Sequence, residues 1–210
     1  MLSLDKENSL FSCGHQIICG LDEAGRGPLA GPVVAAAVSL DPKTCSLLAA
    51  CEEIKYIKDS KKLTAKKRDE LFDFIQANFC EVGIGICDHE TIDRINILEA
   101  TFLAMKKAIS ALREKPAFVM LDGKFQIPNS SLRQEAVVKG DNSVLSIAAA
   151  SIVAKVARDR MMDEFHEKYP MYGFDKHRGY GTKIHMEAVA EHGPCPIHRK
   201  SFAPISKFFQ

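Results

Sequence analysis

Residues 20–34 read GLDEAGRGPLAGPVV. Within them, 25–32 hold three glycines and two prolines. Such a segment makes a poor helix or ladder, because proline lacks a backbone donor and glycine loses the most entropy on ordering. Its flanks are the opposite: 17–22 and 33–40 are apolar runs of strand length. The short irregular connection predicts that the two strands pair as a hairpin. Asp22 and Glu23 are thereby delivered, side by side, to the end of the first strand.

The rest of the chain alternates. Thr64 is the expected N-cap of a helix over 64–79, in which Leu71, Phe74 and Ile75 recur at helical spacing. Residues 81–87 alternate as a third strand. A long amphipathic helix is predicted over 91–114, stopped by Pro116. Residues 117–123 are an apolar strand ending in Asp122-Gly123, and 135–141 another ending in Gly140-Asp141. The longest predicted helix, 143–169, is stopped by Pro170, and its small residues Ala148 to Ser151 suit close packing on a sheet. A Gly-, His- and Pro-rich tail follows, with a short helix near 183–192. Strands first in a run, then interleaved with helices, predict an α/β domain with a mixed sheet covered on both faces.

Composition removes several function classes. With 210 residues and 46% hydrophobic content, the chain can build a sizeable core. No apolar run approaches the roughly 20 residues of a membrane span. The N-terminal residues are too polar and acidic for a signal peptide, so a cytoplasmic protein that binds no membrane is expected. Seven cysteines, none in C-x-x-C spacing, read as reduced thiols. Cys195 and His198 in HGPCPIH make only a thin zinc motif, with no second ligand pair. The net charge of +1 says nothing about partners, but 55–68, KYIKDSKKLTAKKR, is a local basic patch suited to a polyanion or to a solvated helix start.

The acids carry the chemistry. Asp22, Glu23, Asp122 and Asp141 are all expected at carboxyl ends of strands, the edge where open α/β sheets bind ligands. Each alone has a local explanation, as a turn residue or a helix cap. Together they would repel one another and resist ionisation unless a cation intervened. An all-carboxylate set suits Mg²⁺ or Mn²⁺, and two such ions about 4 Å apart can drive phosphodiester hydrolysis. Adjacent strand residues point to opposite faces, so Asp22 and Glu23 are expected to share a site only if the chain leaves strand geometry there. The glycines at 25, 27 and 31 would ease that departure and expose backbone N–H groups to phosphate or sugar. GRGPLAG lacks the Gly-Lys-Ser/Thr of a P-loop, which argues against an NTPase.

The series GLDEAGRGPLAGPVV, DSKKLT, LDG, VVKGD, SIAAASIVAKVARDR, YPMYGFDKHRGYGT and HRKSFAP resembles, in order, the motifs of bacterial ribonuclease HII, over about residues 17–206. The resemblance implies a ribonuclease H-like fold, a mixed five-stranded sheet flanked by helices, with residues 1–170 as catalytic domain. Residues 171–210 would be a helical extension packed on it that contributes to substrate binding. It implies an endonuclease that hydrolyses the RNA strand of RNA–DNA hybrids. It also implies incision of DNA duplexes 5′ to an embedded ribonucleotide, leaving 5′-phosphate and 3′-hydroxyl ends. Two Mn²⁺ or Mg²⁺ ions would be held by Asp22, Glu23, Asp122 and Asp141. Gly25, Arg26 and Gly27 would recognise the ribose 2′-hydroxyl, and Tyr180 the RNA-to-DNA junction. Lys58, Ser60, Lys61 and Lys62 become candidate phosphate contacts. The sister family, ribonuclease HIII, adds an N-terminal domain and uses glutamate as fourth acid, so Asp141 and the short N-terminal stretch favour HII. A monomer is expected. Phe208 and Phe209 in SKFFQ offer a peptide for a sliding clamp, though docking on the core or a loose tail is the preferred reading. A non-catalytic nucleic-acid-binding module would not need four acids, and a small-substrate phosphodiesterase would not need separated basic patches.

Overall fold

The computed structural model describes residues 2–57 and 63–209. Five strands, β1 (Ile18–Ala24), β2 (Val33–Leu40), β3 (Glu81–Cys87), β4 (Phe118–Asp122) and β5 (Arg133–Val137), form one sheet in the order β3-β2-β1-β4-β5. The β1–β2 hairpin and β2–β3 are antiparallel, whereas β1–β4 and β4–β5 are parallel. The sheet is therefore mixed, as the order of elements predicts. Eight α-helices accompany it among the described residues: α1 (Asp5–Ser12), α2 (Pro42–Ala49), α3 (Ala65–Asn78), α4 (His89–Ile95), α5 (Ile97–Ser110), α6 (Leu145–Lys168), α7 (Phe174–His177) and α8 (Lys183–His192). None is long and apolar enough to cross a membrane.

Strand alternation sorts the core into two layers. Ile18, Ala36, Val38 and Met120 pack under α6 and α3 on one face. Cys19, Leu21, Ala35, Ala37, Val119 and Leu121 pack under α5 on the other. Helix α6 lies so close to β1 that a Cβ at Gly20 would stand 2.2 Å from the carbonyl carbon of Ser146. Its flanking residue Val144 provides no side-chain cap. The fully buried Glu7 of α1 supplies one instead, its Oε1 accepting from Ser146 N at 2.9 Å and Ser146 Oγ at 3.0 Å. A carboxylate is well suited to the positive end of a helix. A third apolar cluster joins Leu29 and Ala30 of the β1–β2 connection to Met162, Tyr172, Phe174, Val189 and Ile197. The irregular loop thus has a core of its own.

Five elements depart from expectation. The helix predicted over 91–114 is two helices, broken at Asn96, which takes φ 68° and caps α5 by accepting from Leu98 N and Glu99 N. Asparagine tolerates this left-handed backbone, and the apolar periodicity runs on past the break. Strand β1 continues to Ala24 rather than ending at Asp22. Strand β5 ends at Val137, so Asp141 lies not on a strand end but in the 3-10 turn Gly140–Asn142. Helices α1 and α2 were not expected at all. All seven cysteines are free thiols, with Cys19, Cys45, Cys87 and Cys195 buried.

Candidate active site

A cleft of about 470 Å³ opens at the carboxyl ends of β1 and β4. All four acids line it: Asp22, Glu23, Asp122 and Asp141. The expected departure from strand geometry at Asp22 and Glu23 does not occur. Both stay in register with β2, opposite Ala36 and Ala35. What changes is the neighbour on the other side, because β1 pairs with β4 only as far as Leu21 opposite Leu121. Beyond that point the sheet edge is open, and side chains from either face reach the same space. Asp22 comes from the α6 face, where the Ser151 hydroxyl bonds its carboxylate. Glu23 comes from the α5 face and also lines a small adjoining pocket of about 100 Å³ with Leu98, Phe102 and Phe125. Asp122 lines both spaces.

Asp122 also fixes the fourth acid. Its Oδ1 accepts from Gly140 N at 2.7 Å and lies 3.5 Å from Asp141 N. The strand-end carboxylate therefore gathers in the turn that carries Asp141. Burial raises the Asp22 pKa well above the ordinary carboxylate range, and the charges of Glu23 and Asp122 push it further. That repulsion between oxygen donors is what a divalent cation relieves, so the donor set fits a hard metal ion. Among the described residues no three His, Cys, Asp or Glu side chains form a ready-made coordination sphere. The acids share a cleft with room for their side chains to turn.

The walls are basic. Arg26 Nη1 lies 3.3 Å from Glu23 Oε1. Arg68 of α3 and Lys155 of α6 line the cleft, both steered by Asp159, at 3.8 Å and 2.7 Å. Burial lowers the Lys155 pKa. Sequence reasoning missed Ser151 and Lys155, and it read Arg68 only as part of the basic patch 55–68. The first two stand one helical turn apart on α6, a spacing that puts them on one face. Of the sequence candidates, Gly25, Arg26, Gly27 and Tyr180 line this cleft too. Gly25 takes φ 98°, and a Cβ at Gly27 would be 3.5 Å from the Tyr180 ring. Tyr180 as a residue is 45% exposed. Lys58, Ser60, Lys61 and Lys62 lie outside the described residues.

The C-terminal histidines serve the scaffold. His185 Nδ1 lies 2.9 Å from Tyr180 O, its Nε2 is 3.0 Å from His198 Nε2, and Cys195 Sγ is 3.1 Å from His198 Nδ1. Burial drives the His185 and His198 pKa values down to about 4, so both rings are neutral near pH 7.

A family model described as Ribonuclease HII matches residues 19–205. A ribonuclease HII of Burkholderia thailandensis is 52% identical over 199 residues, covering 95% of this chain and 89% of that protein. The solved ribonuclease H2 of Pyrococcus horikoshii has a TM-score of 0.75 at 28% identity, covering 91% of this chain and 96% of that one. A PCNA–ribonuclease HII complex from Archaeoglobus fulgidus has a TM-score of 0.70 at 28% identity, covering 89% and 95%. The matched segment takes in β2 to β5, all of β1 after Ile18, the four acids and Tyr180, and the chain belongs to the ribonuclease HII family, endonucleases that hydrolyse the RNA strand of RNA–DNA hybrids.

Proposed function

We propose that this protein also incises duplex DNA on the 5′ side of a single embedded ribonucleotide, with two Mg²⁺ or Mn²⁺ ions held by Asp22, Glu23, Asp122 and Asp141. One observation carries the reading: four carboxylates share a cleft with exposed glycine backbone and an aromatic ring. When bound, such ions supply Lewis acidity, activating a water and neutralising charge on the leaving oxygen. In the overall hydrolysis a water oxygen forms a bond to phosphorus and the bond from phosphorus to the 3′-oxygen breaks. The 3′-oxygen leaves as a hydroxyl, and the ribonucleotide keeps a 5′-phosphate.

The chain's own residues do the rest. Asp122 holds the turn of Asp141 by its bond to Gly140 N, keeping two acids together. The backbone of Gly25, Arg26 and Gly27 hydrogen-bonds the 2′-hydroxyl, the group that tells RNA from DNA. Tyr180 packs on the sugar that follows. Arg68 and Lys155 hold backbone phosphates, which position the duplex without reading its sequence. Lys58, Ser60, Lys61 and Lys62 are proposed to do the same. Residues 1–170 are read as the catalytic domain, and 171–210 as an extension that contributes Tyr180. The Archaeoglobus fulgidus relative forms a complex with PCNA. Phe208 and Phe209, half exposed here, are the corresponding proposal for a sliding clamp.

The test offers a DNA duplex with one ribonucleotide, plus Mg²⁺ or Mn²⁺, beside an all-DNA duplex. A single nick 5′ to the ribonucleotide and an intact control are expected. Absence of the nick, or equal cutting of the control, defeats the proposal.

A further inference from the structure

Two arginines are buried beneath the loop that joins β1 to β2, Arg158 at 1% exposure and Arg199 at 0%. Among the described residues neither makes an ion pair within 4.0 Å. Their hydrogen bonds go to main-chain carbonyls instead. Arg199 donates from Nη2 to Gly25 O at 2.6 Å, from Nη1 to Arg26 O at 3.0 Å and from Nε to Gly31 O at 3.0 Å. Arg158 donates from Nε to Pro32 O at 3.0 Å, from Nη2 to Ala30 O at 3.2 Å and from Nη1 to Arg178 O at 3.0 Å. Five of these six acceptors belong to the loop. Burial lowers the two pKa values to about 10 and about 9, so both side chains remain cations at neutral pH.

A trans peptide is planar, with its C=O and N–H pointing in opposite directions. Pulling Gly25 O and Arg26 O down onto Arg199 therefore turns the N–H groups of Arg26 and Gly27 the other way. Arg26 and Gly27 line the cleft, and neither N–H has a hydrogen-bond partner among the described residues. Arg158 does a different job. It holds Ala30 and Pro32 with one side of its fork and Arg178, two residues before Tyr180, with the other. A Cβ at Gly25 would fall 2.1 Å from Arg158 Nε, so glycine there leaves the guanidinium its place.

We infer that Arg199 and Arg158 are positioning residues for sugar recognition: Arg199 aims the two loop N–H groups into the cleft, and Arg158 sets the spacing between that loop and Tyr180. The inference rests on the proposed reading of the sugars. A planar fork with five donors can hold several carbonyls at fixed angles, whereas a lysine ammonium acts as a point. Arginine-to-lysine changes thus keep the charge and remove the alignment.

The experiment compares Arg199→Lys, Arg158→Lys and the unaltered protein on three duplexes: one embedded ribonucleotide, continuous RNA–DNA hybrid, and all DNA. Rates are taken well below each melting temperature. Arg199→Lys should lose at least tenfold in kcat/KM on both ribose-containing substrates alike. Arg158→Lys should lower the ratio of single-ribonucleotide to hybrid cleavage at least tenfold. That ratio change should vanish when Arg158→Lys is made in a Tyr180→Ala background. Losses that match the unfolded fraction and leave the ratio unaltered overturn the inference. If one variant does not fold, the other decides alone. If neither folds, amide resonances of Arg26 and Gly27 in the unaltered protein decide. They should shift on binding the ribonucleotide duplex in Ca²⁺ and not on binding the all-DNA duplex, and identical responses to both overturn the inference. Failure of the unaltered protein to cut the single-ribonucleotide duplex sinks the functional reading as well, whereas normal cutting with an unmoved ratio sinks only the positioning role.

Discussion

Asp122 lines the cleft and the side pocket and accepts from Gly140 N, so it touches both spaces and the turn of Asp141. Asp122→Asn keeps an oxygen for that bond and loses the charge. Cleavage should fall on the order of a thousandfold or more, equivalent to about 4 kcal/mol of barrier, with the far-ultraviolet circular dichroism unchanged. Near-normal turnover would remove Asp122 from the metal-binding set. Tyr180 separates ring from hydroxyl. Tyr180→Phe should keep most activity on a single embedded ribonucleotide. Tyr180→Ala should lose at least tenfold there and clearly less on a continuous hybrid, and equal losses would leave the ring a scaffold residue. Asp22, Glu23 and Asp122 were legible because carboxylates at the ends of apolar strands stand out against their surroundings, and Asp141 because it follows an apolar run, though its strand stops at Val137. Lys155 was not, because a cation on a helix is ordinary and only the docking of α6 brings it to the cleft, and Arg68 was legible only as one charge of the basic patch 55–68. The buried arginines were hidden for a similar reason: a sequence shows a charge, not the carbonyls that will surround it.

Elements meet closely where α6 crosses β1. Gly20→Ala would put a methyl group 2.2 Å from main-chain carbon of Ser146, with no flexible side chain to yield. Overpacking of this kind should cost about 3 kcal/mol, read as a lowered denaturant midpoint with unchanged slope. Loss below about 0.5 kcal/mol would mean that α6 can lift from the sheet freely. The same strand explains why Asp22 and Glu23 cooperate while pointing to opposite faces: β1 outruns its pairing with β4, so both faces open onto one space. Sequence periodicity gives faces and lengths, so β2, β3 and α8 were read correctly. It does not report where a neighbouring strand stops, nor a one-residue break such as Asn96. Helix α2 did have a signal, since Asp41 caps it by accepting from Thr44 N and Pro42 opens it.

Across the whole molecule, the third apolar cluster ties the β1–β2 loop to the segments after α6, and buried histidines sit at its centre. His185 and His198 have folded-state pKa values of about 4, against an ordinary 6.5. The unfolded chain therefore binds more protons between those limits, and stability falls as pH drops through them. With both rings titrating, the slope approaches about 2.7 kcal/mol per pH unit from these groups. Melting temperature should decline steeply from pH 6.5 towards 4, and His185→Gln should flatten the decline; an unchanged profile in that variant would mean that carboxylates elsewhere govern it. The bond from Arg199 to Gly25 spans 174 residues of chain. During synthesis the acids of β1, β4 and the Asp141 turn are made before the guanidinium that clamps the β1–β2 loop. A nascent chain that has not reached Arg199 therefore lacks the three guanidinium bonds that clamp the β1–β2 loop.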